Sequence, residues 1–422
     1  MLLQIKPLRL LYITAETWPT FRPDVAVLFG KCLPALGVES DLVTAATPGT
    51  EPVDRWSGGQ AQLAPVTGSL MARAVRRTLH GMKCLWQSDP GRYDAIQVRD
   101  MPVVAVFALA IARLKGVRFY YWMSFPIPEG QLRRARGRGL SAGLARFLVP
   151  WLQGTLGCHA LYRIVLPRAD HVFVQSDRML ADMEKHGLPA RKMTPVPMGV
   201  DLEAMGDALV MPIDDPRIRG RRVLVYLGAL DRARQIEVLF DMLARARSVV
   251  PEVLLVLVGD TEDRPHRVWL EAQARDAGVW DSVIWTGWLP TVEAWRWVRT
   301  AEIGLSPIPR GPLFDPASPT KLPEYLALGV PVVCNDNPDQ QHIIDHCQAG
   351  RCVPYAADSF AKAVIELLGL PAAARQQLAQ RGRAFVAEHR DYRLIASRLA
   401  ARYHEILATP DATNHRRQVG QA

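Results

Sequence analysis

The sequence contains two successive series of short apolar segments, and a stretch with helical spacing follows each segment. This alternation limits the possible folds of the chain more than any other feature. Segments rich in Val, Ile and Leu that alternate with helical patterns are typical of crossover units in a parallel sheet. The first series contains LRLLYIT, ESDLVTA, AIQVRD, RFYYWMS, HVFVQSD and MTPVPMG. The second contains RVLVYLG, VLLVLVGD, VIWTGW, IGLSPI, VPVVCND and GRCVPY. We therefore predict an α/β protein with two Rossmann-like domains, each built on a doubly wound parallel sheet of about six strands.

The polar, proline-containing stretch MPIDDPRIRGRR separates the two series and marks the predicted domain boundary. We predict an N-terminal domain over residues 1–207 and a C-terminal domain over 208–385, with a ligand cleft between them at the carboxyl ends of the strands. A helical pattern runs from about Pro371 to Ala408, and its last part, 386–409, is predicted to pack back toward the N-terminal domain. The polar end, 410–422, is predicted to be disordered.

Composition limits the class of protein. The chain has 422 residues, of which 49% are hydrophobic. A chain of this length is too long to fold around a single hydrophobic core. The longest apolar run, 103–114, is shorter than the ~20 residues of a transmembrane helix, and the first residues are interpreted as a strand because Lys6 and Arg9 interrupt them. The six scattered cysteines are expected to be reduced; Cys347 and Cys352 lack further ligands at zinc spacing, so we predict no metal site. We expect a cytoplasmic protein, soluble or peripheral at the inner face of the membrane.

The formal net charge of +9 favours anionic partners without choosing among them. The densest basic run holds four arginines before an apolar segment that includes Trp151 and Leu152; these are Arg133, Arg134, Arg136 and Arg138. An amphipathic helix beside such a cluster is typical of contact with an anionic membrane surface, and a core helix after a solvated loop is the alternative. Aromatic residues do not alternate with basic ones along a stripe, so we predict no nucleic-acid partner.

The segment GPLFDPASPTKLPEY links a predicted strand to a predicted helix. Thr320 is a good N-cap, and Pro323 then falls in the first turn, where its missing N–H costs nothing. The helix N-terminus, the hydroxyls of Ser318 and Thr320 and the ammonium of Lys321 together suit a diphosphate. Glu324 lies on the same helical face, and its carboxylate suits the paired hydroxyls of a ribose. The alternative is a surface ion pair on a capped helix.

The segment SPTKLPEYLALGVPVVCND resembles the signature of the retaining family 4 glycosyltransferases, which have the GT-B fold. The resemblance implies that Glu324 binds the ribose of the donor and that Lys321 faces its diphosphate. The family often places an acidic residue eight positions before this glutamate, in contact with the transferred sugar. Pro316 occupies that position, and we expect the neighbouring Asp315 to substitute for the acid.

The segment RVLVYLGALDRARQIEVLFDML resembles the family's glycine turn, in which the backbone approaches the phosphates and basic residues neutralise them. The resemblance implies this role for Gly228, Arg232 and Arg234, since Ala229 stands where the family usually has its first arginine. Solvated arginines at the start of a helix are the alternative. Trp288 and Leu289, at the end of VIWTGWLP, are implied to hold the base. Acidic residues follow VLLVLVGD, but we interpret them as an ordinary acidic loop, not as a metal site.

The first series resembles the family in order and spacing, and its candidates face the acceptor. Arg99 and Asp100 end the strand of YDAIQVRDMP, and Ser124 stands near the place where many relatives have a histidine. The first strand is followed by ETWPTFRPDVAV, where many relatives have a glycine-rich loop. Without those glycines the backbone cannot approach a phosphate as closely.

The resemblance implies a retaining, hexosyltransferase-type enzyme that uses a UDP-, GDP- or ADP-sugar and no obligatory metal or cofactor. Arg234, Lys321 and Glu324 are its predicted catalytic residues. The acceptor is expected to be a glycan or lipid-linked molecule in bacterial-type polysaccharide or glycolipid synthesis. The alternatives are a GT-B-like nucleotide-sugar epimerase and a non-catalytic nucleotide-binding or nucleic-acid-binding protein.

Overall fold

A computed structural model describes residues 7–47, 56–138 and 144–409 of the chain. The chain divides into two compact units: unit 1 comprises Met1–Val196 with Tyr392–Ala422, and unit 2 comprises Pro197–Asp391. The predicted disordered end at 410–422 lies outside the described residues. Within the described ranges, no helix is both long enough and apolar enough to cross a membrane.

Unit 1 is built on a parallel sheet of seven strands in the order β3-β2-β1-β4-β5-β6-β7. Six of them coincide with the first predicted series. The additional strand, β3, has four residues, of which only Ala64 is buried, and no apolar run, so the sequence pattern does not reveal it. The strands are β1 Leu8–Thr14, β2 Val38–Ala45, β3 Ala61–Ala64, β4 Ala95–Arg99, β5 Arg118–Met123, β6 His171–Val174 and β7 Met193–Pro195.

Helical segments cover both faces of this sheet. Leu11 and Ile13 of β1 pack against one helix layer, and Leu10 and Tyr12 pack against a π-helical segment, Asp24–Cys32, on the other face. Both sides of β1 are therefore apolar, which explains its nearly continuous apolar run. The α-helices up to β7 are α1 Leu70–Gln87, α2 Pro102–Lys115, α3 Ile127–Arg138, α4 Leu144–His159, α5 Leu166–Arg168 and α6 Asp177–Lys185; a π-helical turn, Ala160–Val165, joins α4 to α5.

Unit 2 has a parallel sheet of six strands in the order β10-β9-β8-β11-β12-β13, and all six coincide with the second predicted series. The strands are β8 Arg222–Leu227, β9 Val253–Val258, β10 Val283–Gly287, β11 Ile303–Ser306, β12 Val332–Asn335 and β13 Gly350–Val353. The helices are α7 Val238–Arg247, α8 Arg264–Asp276, α9 Thr291–Thr300, α10 Lys321–Ala327, α11 Pro338–Cys347, α12 Ala357–Gly369 and α13 Ala372–His389. The strand order reverses between β8 and β11, and ligands of doubly wound sheets bind at such a reversal.

The helical pattern that the sequence shows from about Pro371 to Ala408 corresponds to two helices in the structure. It consists of α13 and a separate helix, α14 Tyr392–Ala408, with a break at Arg390 and Asp391. The break is stabilised by tertiary contacts, since the Val200 N–H donates to the Arg390 carbonyl oxygen at 2.8 Å. Helix α14 packs its apolar face into the core of unit 1, where the Tyr403 hydroxyl donates to the Gln97 side chain.

Candidate functional site

Helix α10 begins at the strand reversal of unit 2 and carries Lys321 and Glu324. It starts after Thr320, as predicted, but the Thr320 backbone is already helical and its side chain makes no capping hydrogen bond. The predicted N-cap role of that hydroxyl is therefore wrong. Pro323 lies in the first turn, where its missing N–H is tolerated. The helix is held in place by Tyr325, whose hydroxyl accepts from the Leu227 N–H at 2.7 Å and donates to the Leu305 carbonyl oxygen at 3.2 Å.

Lys321 is buried at the first position of α10, with 8% of its surface exposed. Its Nζ lies 4.8 Å from the centre of the Tyr226 ring. Burial lowers the pKa of Lys321 to about 7; repulsion from Arg234 adds to this fall, and the charge of Glu324 opposes it. The ammonium is thus held where an arriving anion would stabilise its charged form.

Gly228, directly after β8, approaches this lysine closely. Its φ of 137° lies in a region that side chains rarely adopt, and a Cβ atom here would lie 3.1 Å from Cε of Lys321. A glycine is therefore required by both the backbone and the neighbouring side chain. The predicted glycine turn and the predicted lysine come together in the structure.

Glu324 lies one turn after Lys321 and is partly buried. The Trp295 Nε1–H donates to its Oε1 at 3.4 Å. Burial raises the pKa of the Glu324 carboxyl to about 7, against the opposing effects of the Trp295 hydrogen bond and the Lys321 charge. A base and an acid that titrate near neutral pH therefore share one short helix, which is typical of functional sites.

The two predicted arginines have different surroundings. They lie in a 3-10 turn, Arg232–Arg234, that ends at Gln235 with a φ of 50°. Arg232 is exposed and its Nε lies 3.0 Å from the Asp263 carboxylate. Arg234 has its guanidinium 5.7 Å from the centre of the Phe314 ring, and its charge reaches Lys321. The structure thus brings Arg234 toward the lysine and directs Arg232 to a surface ion pair.

The loop before α10 is held by its own side chains. The Asp315 carboxylate accepts two hydrogen bonds from Arg310, at 2.8 and 3.2 Å, and one from the Gly311 N–H at 3.0 Å. These bonds stabilise the loop in which Pro316 occupies the position of the family's first acidic residue. Asp315 as a contact of the transferred sugar stays a prediction.

Ser318 takes part in a buried network that the sequence does not reveal. Its hydroxyl donates to Asp339 at 2.8 Å and accepts from the Met198 N–H at 3.0 Å and from Arg390 at 3.3 Å. Arg390 also binds Asp339 at 2.7 Å. All hydrogen-bonding positions of the hydroxyl are occupied, so Ser318 anchors the loop before Lys321, and its direct role on a diphosphate stays a prediction that requires an exchange of partners.

The remaining candidates of unit 2 follow β9 and β10. Trp288 is 60% exposed after the end of β10, and Leu289 packs against the core. Asp260, after β9, lies 2.9 Å from Arg267, and Asp263 accepts from the His266 N–H at the start of α8. This acidic loop is therefore engaged in structural contacts. Among the residues that the structure describes, no group of three or more His, Cys, Asp or Glu side chains could hold a metal ion.

Arg99, Asp100 and Ser124 come together in a buried network of unit 1. Arg99 lies 2.8 Å from Asp24 and 3.2 Å from Glu16. Burial acts to lower the pKa of Arg99, but the carboxylates of Asp24, Asp100 and Glu16 outweigh it and raise this pKa. Asp100 has a φ of 55° and accepts from the Ser124 N–H at 2.9 Å and from the Ser124 hydroxyl. Burial raises the pKa of Asp100, against the opposing effect of Arg99.

Glu16 and Asp24 are functional candidates that the sequence reasoning missed. Glu16 follows β1 by two residues, and Asp24 opens the π-helical segment of unit 1. An acidic residue just after the first strand was the available signal, because the ends of parallel strands collect polar residues.

The two sheets, each with helices on both faces and a polar cluster at the carboxyl ends of its strands, define the GT-B class of proteins. Residues 25–199 match the family described as glycosyl transferase 4-like domain, and residues 221–369 match the glycosyl transferases group 1. The chain belongs to this family, family 4 of the glycosyltransferases, and is a glycosyltransferase. No curated protein sequence matches it.

Solved structures share this fold. HepE of Anabaena, in complex with UDP, has a TM-score of 0.68 at 13% identity, over 94% of this chain and 100% of that one. Sucrose-phosphate synthase of Thermosynechococcus elongatus has a TM-score of 0.72 at 17% identity, over 95% and 99%. WaaG, a glycosyltransferase involved in lipopolysaccharide biosynthesis, has a TM-score of 0.68 at 16% identity, over 95% and 100%. The predicted GT-B fold is confirmed.

Proposed function

We propose that this glycosyltransferase is a retaining, hexosyl-transferring enzyme that moves a sugar from a nucleotide-sugar to a glycan or lipid-linked acceptor. The observation that carries the proposal is the buried Lys321, with Arg234 and Glu324 near it, at the strand reversal of unit 2. Two cations and a carboxylate suit the diphosphate and the ribose of a nucleotide. HepE, which has this fold, has been solved with UDP-glucose, and this supports a UDP-, GDP- or ADP-sugar as the donor.

In this proposal, Lys321 and Arg234 oppose the negative charge that develops on the departing diphosphate. Such stabilisation is usually the largest single contribution to the rate. Gly228 lets the backbone approach the phosphates, which a side chain would prevent. Glu324 accepts hydrogen bonds from the two ribose hydroxyls, and Trp295, which donates a hydrogen bond to its carboxylate, holds it in orientation.

The other donor contacts lie around this centre. Trp288 is exposed and available for stacking on the base, with Leu289 beside it. Thr320, which caps nothing in the free protein, keeps its hydroxyl for a phosphate oxygen. Arg232 and Asp315 can join the site only by exchanging their present partners, Asp263 and Arg310 respectively.

Transfer proceeds by attack of the acceptor hydroxyl on the same face from which the diphosphate departs, without a covalent enzyme intermediate. No metal is required in this scheme because the cations of the site supply the positive charge. Arg99, Asp100 and Ser124 support the acceptor side of unit 1 by fixing the strand ends there, with Arg99 as the structural charge of the network. Their support is a buried, prearranged hydrogen-bonding network at the carboxyl ends of the strands.

The biological setting is part of the proposal. The N-terminal domain binds the acceptor, the C-terminal domain binds the nucleotide-sugar, and the pathway makes a polysaccharide or glycolipid in the cytoplasm, at the inner face of the membrane. Arg133, Arg134 and Arg136 are exposed on α3, which supports contact with anionic lipid.

Thermal-shift screening against UDP-, GDP- and ADP-sugars tests the donor. One class is expected to raise the melting temperature, because a ligand that binds only the folded state stabilises it. Glu324→Gln should weaken this shift, since the neutral amide accepts ribose hydrogen bonds less strongly. Glu293→Gln, an exposed glutamate on α9, is the matched control and should behave as wild type.

Product analysis by NMR tests the stereochemistry. Retention of the donor's anomeric configuration is expected, and inversion would overturn the retaining mechanism while leaving the donor site intact. Turnover of the nucleotide-sugar without any acceptor would identify an epimerase. Binding without turnover across a broad acceptor panel would identify a non-catalytic nucleotide-binding protein.

A further inference from the structure

Helices α1 to α5 of unit 1 are almost free of acidic residues, whereas α6, which packs Met179 and Met183 into the same core layer, carries Asp177, Asp182 and Glu184. Residues 57–88 contain four Lys and Arg and no Asp or Glu, and residues 101–169 contain ten Lys and Arg and a single Glu. That glutamate, Glu129, accepts a hydrogen bond from the Tyr162 hydroxyl. Since the net charge of the whole chain is +9, these two stretches hold its entire positive excess.

The same helices expose large apolar side chains. On α1, Leu79 and Trp86 lie two turns apart on one side, and Trp86 is 66% exposed. On α2, Val103 and Leu114 are exposed, the latter at 74%. On α4, the exposed apolar residues include Trp151, Leu152 and Leu156. Solvent-exposed apolar residues on three neighbouring helices indicate a surface that binds another molecule or a membrane.

These side chains belong to one continuous surface. Helix α2 contacts α1 on one side and α4 with its π-helical continuation on the other. The Nζ of Lys115 donates to the carbonyl oxygens of Leu85 at 3.0 Å and Trp86 at 2.8 Å, so α1 and α2 end side by side. Trp86 and Leu114 therefore lie at adjoining helix ends. We call the surface formed by the exposed residues of α1, α2 and α4 the outer face.

We propose that the outer face of unit 1 binds an anionic lipid bilayer, with Leu79, Trp86 and Leu114 inserted between headgroups and the arginines of α3 against the lipid phosphates. Tryptophan and leucine beside arginine and lysine is the composition of interfacial helices. The inference deepens the membrane part of the proposed function, and it rests on that function only for the lipid-linked acceptor. It extends the contact from one arginine cluster to three helices.

Charge selects the bilayer over other partners. A second copy of the chain, docked by two-fold symmetry, would bring one acid-free face against another, and like charges across an interface repel. Interfaces with nucleic acid are polar as well as basic, whereas the outer face exposes large apolar residues between its cations. An anionic bilayer satisfies both features, because it offers phosphates above an apolar layer.

Sedimentation of the full-length chain with vesicles tests the proposal. We expect binding to phosphatidylglycerol–phosphatidylcholine vesicles and none to phosphatidylcholine alone. Replacing the three exposed arginines (Arg133→Gln, Arg134→Gln, Arg136→Gln) should lower the affinity on the order of 100-fold. The apolar variant, Leu79→Ser with Trp86→Ser and Leu114→Ser, should lower it at least about tenfold.

The matched control is Leu209→Ser with Met211→Ser, two exposed apolar residues of unit 2, which should bind vesicles as wild type does. Pyrophosphate binding, followed by calorimetry, should be the same in all variants, so loss of vesicle binding is separable from failure of the donor site and from misfolding. An apolar variant that binds vesicles with wild-type affinity would overturn the proposal. So would a wild-type dimer that this variant dissociates, or oligonucleotide binding in place of vesicle binding.

Discussion

Each unit buries a cation near the carboxyl ends of its strands, and the surroundings of the two cations differ. Arg99 in unit 1 lies 2.8 Å from Asp24 and 3.2 Å from Glu16, and its pKa is raised. Lys321 in unit 2 has a pKa lowered to about 7, and in the described part of the chain no carboxylate lies within ion-pair distance of its Nζ.

This difference suggests different roles: Arg99 is a structural charge, whereas Lys321 is proposed to bind an anionic ligand. A buried cation with carboxylates in contact is already stabilised, and its removal would leave those carboxylates alone. A buried cation beside an aromatic ring and a repelling arginine, with the Glu324 carboxylate beyond ion-pair distance, gains most when an anion arrives. Burial alone therefore does not distinguish the two cations, whereas the balance of charge around each does, and this balance supports Lys321 as the proposed anion-binding residue.

The largest effect is expected for Arg99→Met. The variant leaves the buried Asp24 carboxylate without its partner, so the free energy of unfolding should fall by about 3–5 kcal/mol. Urea unfolding measures it. Arg178→Met, which breaks a half-exposed i,i+4 ion pair with Asp182 on α6, is the control and should cost about 0.5 kcal/mol or less. Equal losses of stability in the two variants would mean that Arg99 is not stabilised by its carboxylates more than a half-exposed arginine is.

Lys321→Met should affect ligand binding and leave the stability of the protein unchanged, in contrast to Arg99→Met. Pyrophosphate affinity is expected to fall by about 1.5–3 kcal/mol, because a charged donor to the phosphates is lost. The free energy of unfolding should not fall, since the variant also removes the cost of burying an ammonium group. Calorimetry and urea unfolding give the two values, with Lys362→Met, an exposed lysine of α12, as control. A destabilised variant with normal affinity would show that Lys321 is a structural charge like Arg99.

The pH dependence of binding separates Lys321 from Glu324. Pyrophosphate requires the charged ammonium, whose pKa is about 7 in the free protein, so its affinity should decrease as the pH rises above 7, by up to about tenfold per unit. A nucleoside requires the Glu324 carboxylate, whose pKa is also about 7, so its affinity should increase as the pH rises through 7. Titrations of both ligands from acid to mildly alkaline pH check the signs. Parallel slopes for the two ligands would contradict the assignment.

Arg390→Lys tests how the loop before Lys321 is anchored. The lysine keeps a positive charge for Asp339 but cannot reach Ser318 and the Met198 carbonyl oxygen at the same time. We expect a loss of about 1 kcal/mol, seen as a several-fold higher KM for the donor with little change in kcat. A change confined to kcat would indicate a role in transfer instead of positioning.

The smallest effect is expected for Thr320→Ala in a comparison of two helix starts. The Thr320 side chain makes no capping hydrogen bond, whereas the Ser176 hydroxyl accepts from the Met179 N–H at the start of α6 at 3.0 Å. Ser176→Ala should therefore cost about 1 kcal/mol of stability, and Thr320→Ala about 0.5 kcal/mol or less. A larger loss for Thr320→Ala would mean that its hydroxyl does cap α10 in solution.

Most of the fold could be predicted because buried parallel strands need apolar residues on both faces. All twelve predicted segments are strands, and the one missed strand, β3, lies at the sheet edge with little burial. The helical stretch predicted from about Pro371 to Ala408 is helical on both sides of a break, which the pattern does not show for a related reason. Its apolar spacing continues across Arg390 and Asp391, and only the contacts of these two residues end the helix.

The sequence by itself determined the two Rossmann-like sheets and the start of α10, which follow from local periodicity and from helix-start residues that neighbouring positions encode. The proximity of Gly228 to Lys321 was implied by the resemblance to the family. Only the tertiary structure decided that Arg99 is neutralised by Asp24, that Ser318 is held by Arg390, and that Lys321 forms no ion pair with any carboxylate among the residues the structure describes. Electrostatic energies depend on distances between residues far apart in the chain, and packing alone sets those distances.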